Sequence, residues 1–221
     1  MNSAIRTALP NDAIGIARVS LEVWPDEPLD AVYVSRLIAE RQRTTHVAEL
    51  DGKVVGFVDG FQTETASAEP RWEVDLLAVS PRAQGHGIGK LLVRTSLDMG
   101  TAVGATSARG LIRVDNVASE RVFAACGFKP DTSSSHLWVG SGLRFVTEQH
   151  GMHVVRVSTF LYEGIWLEEV NVAGLRLLHP SESSGSVGAV ISATETDSLN
   201  AAAHAGLTHA SDYRFWTRRL S

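Results

Sequence analysis

Apolar positions along the first 140 residues recur with two alternating periods. Ile14, Ala17, Leu21 and Trp24 are three or four apart, which predicts a helix beginning after Pro10-Asn11-Asp12. A second helical stretch is expected from Asp30 to Arg43, with Val34, Leu37 and Ile38 on its apolar face. Ile5-Arg6-Thr7-Ala8, ahead of both, reads as a short strand. Thr45–Leu50 and Val54–Phe61 are strand-like runs joined by Asp51-Gly52, a dipeptide suited to the left-handed turn of a tight hairpin. Arg71–Val79 is the next strand, Ile88–Met99 a helix and Ala108–Val114 a strand. Asn116–Cys126 is a further helix, stopped by Gly127. The order is a strand, two helices, a meander and then a βαβα run, an α/β (α+β) arrangement.

The chemistry is concentrated where the fourth strand stops. Val74-Asp75-Leu76-Leu77-Ala78-Val79 ends at Ser80-Pro81, and Gln84-Gly85-His86-Gly87-Ile88-Gly89-Lys90 then opens a helix. Glycine at alternate positions leaves backbone N–H groups unscreened. Together with the positive end of the helix they form a site for anionic oxygen, of which a pyrophosphate is the best match. The dinucleotide fingerprint needs Gly-x-Gly-x-x-Gly directly after a strand, and a Walker loop needs Lys-Ser or Lys-Thr; neither is present.

The pattern Gln84-x-x-Gly87-x-Gly89 resembles the acetyl-CoA pyrophosphate loop of the GCN5-related N-acetyltransferases (GNAT). Asp115-Asn116, Ser119, Phe123 and Gly127-Phe128 resemble that family's second signature. The resemblance covers residues 1–142 and implies the GNAT fold, a mixed central sheet flanked by helices. It further implies that the main chain of Leu77, Ala78 and Val79 holds the pantetheine and thioester. Gln84, Gly85, His86, Gly87, Ile88, Gly89 and Lys90 would hold the pyrophosphate, with Asn116 reaching the pantetheine arm. Many members place a tyrosine near the thioester sulfur, seven positions after the Asn; here that cofactor-facing position is Phe123, which has no hydroxyl.

An ammonium acceptor must lose a proton before it attacks a thioester, so a nearby carboxylate, acting directly or through water, would help. Glu73 and Asp75 lie two apart on the strand before the glycine turn, hence on one face, and are the candidate catalytic residues. Glu73 stands ahead of Asp75 as base or acceptor anchor, with a solvated strand residue the alternative for one of them. The resemblance places the acceptor pocket beside the connection of the first two helices. Trp24, Asp26 and Glu27 fill that connection with an aromatic ring and two acids, a lining suited to a cationic amine and equally to a solvated turn. Trp138 and Trp166 read as strand core residues. Cys126 reads as a packing residue.

Residues 143–221 parallel part of the first half. Val146–Val155 matches Val47–Gly56 as a hairpin with Gly151 in the place of Gly52, shifted by 99 positions. Trp166 matches Trp72 at a shift of 94, and Ala189–Leu207 matches Gly110–Phe128 without gaps at a shift of 79. The falling shift removes the stretch where a glycine turn and helix should lie, leaving Leu177–Ser186 with a proline and no helical period. The expectation is a GNAT acetyltransferase domain over 1–142, followed at 143–221 by a truncated, degenerate GNAT-like half unable to hold cofactor.

Composition narrows the function. A net charge of −5 without a basic cluster argues against nucleic acid. The single cysteine excludes an intrachain disulfide and suits a reducing cytoplasm. No apolar run reaches the ~20 residues of a bilayer span, no secretory leader pattern is visible, and the eight histidines are scattered without metal-ligand spacing. The expected activity is acetyl-CoA-dependent transfer of an acetyl group to a primary amine of a small molecule or peptide, by a monomer or homodimer without a metal. The alternative is a non-catalytic acyl-CoA-binding sensor or scaffold, favoured by Phe123 and the degenerate half.

Overall fold

The computed structural model describes residues 4–40, 43–145, 151–180 and 185–220. These residues form two compact units. The first takes in Met1–Leu111, Asn116–Lys129 and Trp216–Ser221; the second takes in Ile112–Asp115 and Pro130–Phe215.

The first unit holds β1 (Ala4–Thr7), α1 (Ala13–Val23), α2 (Ala31–Ile38), β2 (Arg43–Leu50), β3 (Lys53–Glu64), β4 (Pro70–Val79) and α3 (Ile88–Ala102). Most of β5 (Ser107–Arg113) and all of α4 (Val117–Ala125) follow. Strand order is β1-β2-β3-β4-β5. The first three junctions are antiparallel and β4/β5 is parallel, a mixed sheet as expected. Asp51 and Gly52 make the β2–β3 turn with φ of 50° and 74°.

The buried stripe of α1 differs from the predicted one. Ala13, Ile16, Val19 and Ser20 face inward, while Ile14 is 76% and Leu21 51% exposed. The helix comes closest to β3 at Gly15, where a Cβ would stand 2.9 Å from Val54 Cβ. The second helix also ends earlier than expected. Asp30 caps α2 by accepting from the N–H groups of Val32 and Tyr33 at 2.7 and 3.1 Å, and the helix stops at Ile38. Arg43 is drawn instead into β2, where it ion-pairs with Asp59 on the neighbouring strand. That partner lies 16 positions away and leaves no trace in local periodicity.

Trp72 anchors β4 to α3. Its indole N–H donates to Ser96 Oγ at 2.9 Å, and Gly60 and Gly100 make room for the ring. A Cβ at Gly60 or Gly100 would come within 2.6 Å of Trp72.

The described remainder comprises β6 (Lys129–Pro130), β7 (Ser135–Ser141), β8 (Leu143–Phe145), β9 (His153–Ser158), β10 (Glu163–Glu168) and α5 (Val172–Leu175). It continues through β11 (Leu178–Pro180), β12 (Ser186–Ser192), α6 (Thr196–His204) and β13 (Thr208–Arg219). In the second unit the strand order is β13-β7-β12-β10-β9, with β10/β12 parallel and β9/β10 antiparallel. A separate two-stranded piece pairs β8 with β11. Leu143, Leu167, Leu175, Val187, Ile191 and Ala202 belong to the core of the second unit, with Trp138 packed against it. Residues 146–150 of the expected second hairpin lie outside the described residues, as do 181–184.

Helices α4 and α6 begin and end alike. The residues preceding them, Asn116 and Glu195, have φ/ψ of −88°/67° and −93°/68°. Gly127 and Gly206 close them with φ of 81° and 87°. The closing bonds Phe128 N–H to Phe123 O and Leu207 N–H to Ala202 O are both 3.1 Å.

Candidate active site

The glycine turn is an open cradle. After β4 the chain makes one 3-10 turn at Pro81–Ala83, and Gln84 Nε2 donates back to Val79 O at 2.9 Å, bracing the turn against the strand end. His86 Nδ1 donates to Gln84 O at 2.9 Å in the tautomer protonated there. Gly85 and Gly87 have φ of 80° and 78°, and a Cβ at either would meet nothing within 4 Å. Both positions therefore demand left-handed backbone, and both look onto free space at the first turn of α3. Ile88 and Gly89 differ. Ile88 is buried, and a Cβ on Gly89 would touch Val122 of α4 at 3.5 Å, so these two residues pack α3 inward.

Beside the cradle, β4 parts from β5. Parallel pairing covers Arg71–Glu73 against Ser107–Arg109 and stops there. From Val74 to Val79, through Leu77 and Ala78, β4 is paired to β3 alone. A bulge sharpens the parting: Asp75 and Leu76 of β4 stand against the single Asp59 of β3, between the pairs Gly60/Val74 and Val58/Leu77. Phe123 sits beside this opening. Its ring would be 2.4 Å from a Cβ on Gly110, whose position is also 3.2 Å from Val74 O, and it packs 4.7 Å from Phe128. Only 2% of Phe123 is exposed. Asn116 caps α4, its side-chain oxygen accepting from Ser119 N–H at 3.0 Å.

The two carboxylates of β4 have different surroundings. Glu73 accepts from Arg71 Nε at 2.7 Å, Thr63 Oγ1 at 2.7 Å, and Arg109 Nη2 and Nε at 2.9 and 3.1 Å. Burial by itself would raise its pKa, but Arg109, Arg71 and the hydrogen bonds outweigh burial and hold it below the ordinary range. Asp75 takes the opposite course. Burial pushes it up to about 6, although the Arg43 charge and the Leu76 N–H pull downward. Its Oδ2 is buried without a hydrogen-bond partner. Of the two, Asp75 has the open lone pairs and the affinity for a proton near neutrality.

Periodicity missed the polar group opposite Asp75. Asp59 is fully buried, accepts from Thr45 Oγ1 at 2.8 Å and pairs with Arg43. The available signal was a charged residue inside the apolar run Phe57-Val58-Asp59-Gly60-Phe61. His46 is also buried, and desolvation lowers its pKa, keeping the ring neutral.

In the connection between α1 and α2, Trp24 stands edge-on to Phe57 at 6.4 Å, while Asp26 and Glu27 are exposed. Glu22, unremarked in the sequence, accepts from Ser80 Oγ at 2.5 Å and so ties the end of α1 to the end of β4. A cavity of about 1130 Å³ lined by Arg94, Asp98, Cys126, Lys129, Arg218 and Arg219 contains none of the expected site residues. Burial raises the Cys126 thiol pKa. Among the described residues no helix is long and apolar enough to cross a membrane.

The model of the Acetyltransferase (GNAT) family matches residues 9–128. The L-2,4-diaminobutyric acid acetyltransferase of Nocardia farcinica is 42% identical over 83 residues, spanning 37% of this chain and 42% of that protein. The chain thus spans less than half the length of that relative. The aminoglycoside N(6')-acetyltransferase type 1 of Stenotrophomonas maltophilia is 28% identical over 137 residues, covering 57% of this chain and 85% of the relative. Among solved structures, yncA of Salmonella typhimurium, solved with its cofactor acetyl-CoA, superposes with a TM-score of 0.54. It is 23% identical, over 61% of this chain and 84% of that one.

Proposed function

The chain belongs to the GNAT family of acetyltransferases, and from that premise we propose that it transfers the acetyl group of acetyl-CoA to a primary amine of a small, polycationic or amino-acid-like acceptor. One observation carries the reading: the open left-handed cradle at Gly85–Gly87 follows the stretch Val74–Val79 over which β4 has parted from β5. Unscreened amides at a helix start suit a diphosphate, and an unzipped strand edge offers N–H and C=O groups to an amide-bearing arm. The cradle residues Gln84, Gly85, His86 and Gly87 would hold the phosphates, with Lys90 adding charge. Leu77, Ala78 and Val79 would bind the arm. Ile88 and Gly89 support that site by packing.

Asp75 is the base in this reading. It takes a proton from the acceptor ammonium and passes it to solvent, and the freed amine bonds to the acetyl carbon. The carbon–sulfur bond breaks with the electron pair leaving on sulfur, and the second proton on the new amide nitrogen is then lost to water. The Phe123 position offers no hydroxyl to that sulfur, so CoA departs as thiolate, a tolerable leaving group near neutral pH. Glu73, bound by two guanidiniums, serves instead as a positioning residue that keeps β4 and β5 zipped up to the point of parting. Trp24, Asp26 and Glu27 would border the acceptor. Two relatives bear the names of acetyltransferases for a diamino acid and an aminoglycoside, which supports a small amine-bearing acceptor over a peptide.

The second unit is read as a degenerate GNAT-like half covering 143–221, after an acetyltransferase domain over 1–142. In support, β9, β10 and β12 repeat the antiparallel and then parallel order of β3, β4 and β5. Helix α6 also follows β12 as α4 follows β5, with matching terminal dihedrals. Where the first unit has its cradle and a 15-residue helix, this stretch has the four-residue α5.

The test is titration calorimetry with acetyl-CoA on the wild type, Gly87→Ala and Gly87→Glu. A carboxylate about 5 Å from two phosphate charges costs about 2–6 kcal/mol between solvent-like and surface-like screening. Gly87→Glu should therefore weaken binding at least about thirtyfold, beyond any effect of Gly87→Ala. Equal affinities for all three would remove the site. Thiol release with 2,4-diaminobutyrate and an aminoglycoside then tests turnover; tight acetyl-CoA binding without release on any amine would favour the sensor reading.

A further inference from the structure

Two imidazoles and one carboxylate converge in the second unit, from two strands distant in sequence and outside the acetyl-transfer machinery. His136 lies on β7, and His209 and Asp212 lie on β13. Asp212 is the direct cross-strand partner of His136, and His209 that of Trp138. In a regular strand, residues 209 and 212 would point to opposite faces. The register shifts between His209 and Ser211, however, and this bulge turns both side chains toward His136. His209 Nε2 then lies 3.0 Å and His136 Nε2 3.6 Å from Asp212 Oδ1, and the three donor atoms all fall within 4.8 Å of one another. The imidazole rings are 4.8 Å apart, and Trp138 flanks His209 at 5.7 Å.

We propose that His136, His209 and Asp212 form a binding site for a late first-row divalent metal ion such as Zn²⁺. Zinc bonds of about 2.0–2.1 Å put neighbouring ligand atoms about 2.9 Å apart in octahedral and about 3.3 Å apart in tetrahedral geometry. The two carboxylate–imidazole separations are of this size, so small side-chain adjustments admit an ion. Two imidazoles with one carboxylate suit zinc, nickel or cobalt, whereas magnesium and calcium require mostly oxygen. The side chains are 29%, 40% and 47% exposed, which gives an ion a way in and leaves coordination positions to water. The ion would bind β7 to the bulged stretch of β13, and it asks nothing of the acetyl-transfer reading.

The experiment is calorimetric titration of zinc chloride into the untagged, chelator-stripped full chain at about pH 7.5. One equivalent should bind, magnesium should give no heat, and His209→Gln and Asp212→Asn should each weaken zinc by at least about tenfold. Imidazole NMR of the wild type provides a check independent of variant folding. Zinc should move the ring signals of two histidines, assigned with His136→Gln and His209→Gln, and leave the other histidines in place. Absence of zinc binding at about 100 μM, a loss under tenfold in folded variants, or movement of other histidines would overturn the proposal.

Discussion

Replacing Asp75 with asparagine should make the protein more stable at neutral pH and poorer at its reaction. The Asp75 carboxyl is buried, one of its oxygens has no hydrogen-bond partner, and its pKa is raised from 3.8 to about 6. A folded-state pKa above the unfolded one means that the folded chain holds its proton more tightly. Stability contributed by this group is thus present below about pH 4, falls as pH rises toward 6, and stays lost above it. A shift of about two units corresponds to about 3 kcal/mol. The amide that Asp75→Asn introduces cannot ionise. The stability difference between variant and wild type should therefore move by about 3 kcal/mol in favour of the variant between about pH 4 and pH 8. Taking that difference across pH cancels the constant cost of exchanging an oxygen for an amide nitrogen. Urea unfolding at closely spaced pH values reads it directly. Over the same range, wild-type turnover should rise with an apparent pKa near 6, and the variant should lose that limb together with about 10²–10⁴ in rate. Parallel stability curves would refute the burial argument, and a retained limb would remove Asp75 as the base.

Three further outcomes concern Glu73 and the contact between α3 and Trp72. Glu73→Ala removes the carboxylate that both Arg71 and Arg109 bond and should cost about 3–5 kcal/mol by thermal or urea unfolding. Because the Glu73 pKa is lowered, its contribution is present above about pH 4.3 and disappears as pH falls through the folded value. Glu73→Gln should accordingly flatten the acid limb of the stability curve, and an unchanged limb would contradict the assignment. Gly100→Ala should destabilise by about 1–3 kcal/mol despite alanine's better helix propensity, because its Cβ would meet Trp72 at 2.6 Å. A variant as stable as the wild type would show that the indole can yield.

Local signals were enough for the framework. Asp51-Gly52 marked its hairpin, Gly127 stopped its helix, and the break from an apolar run to alternating glycines located the corner where β4 hands over to α3. Each of these features is decided within a few residues of backbone. The failures arose where tertiary packing overrode local pattern. On α1 Ile14 and Leu21 lie outside while Ile16 and Val19 take the inward face, with Gly15 where the helix comes closest to β3. Local pattern continues the second helix to Arg43, whose carboxylate partner is on another strand.

The candidate carboxylates were the hardest to separate, for a physical reason. Glu73 and Asp75 are two apart on one strand, and nothing in their immediate sequence distinguishes them. Their proton affinities are set by side chains on other strands: Arg109 from β5 and Thr63 from β3 for Glu73, and Arg43 from β2 together with burial for Asp75. The histidine cluster shows the same dependence more sharply, since a spacing of three between His209 and Asp212 reads as opposite faces until the bulge reverses it. Electrostatic identity in this chain therefore belongs to strand register. A change that shifts register without touching any of these residues, such as deletion of Ala210 within the β13 bulge, should abolish the zinc affinity proposed for the cluster while leaving acetyl-CoA binding intact.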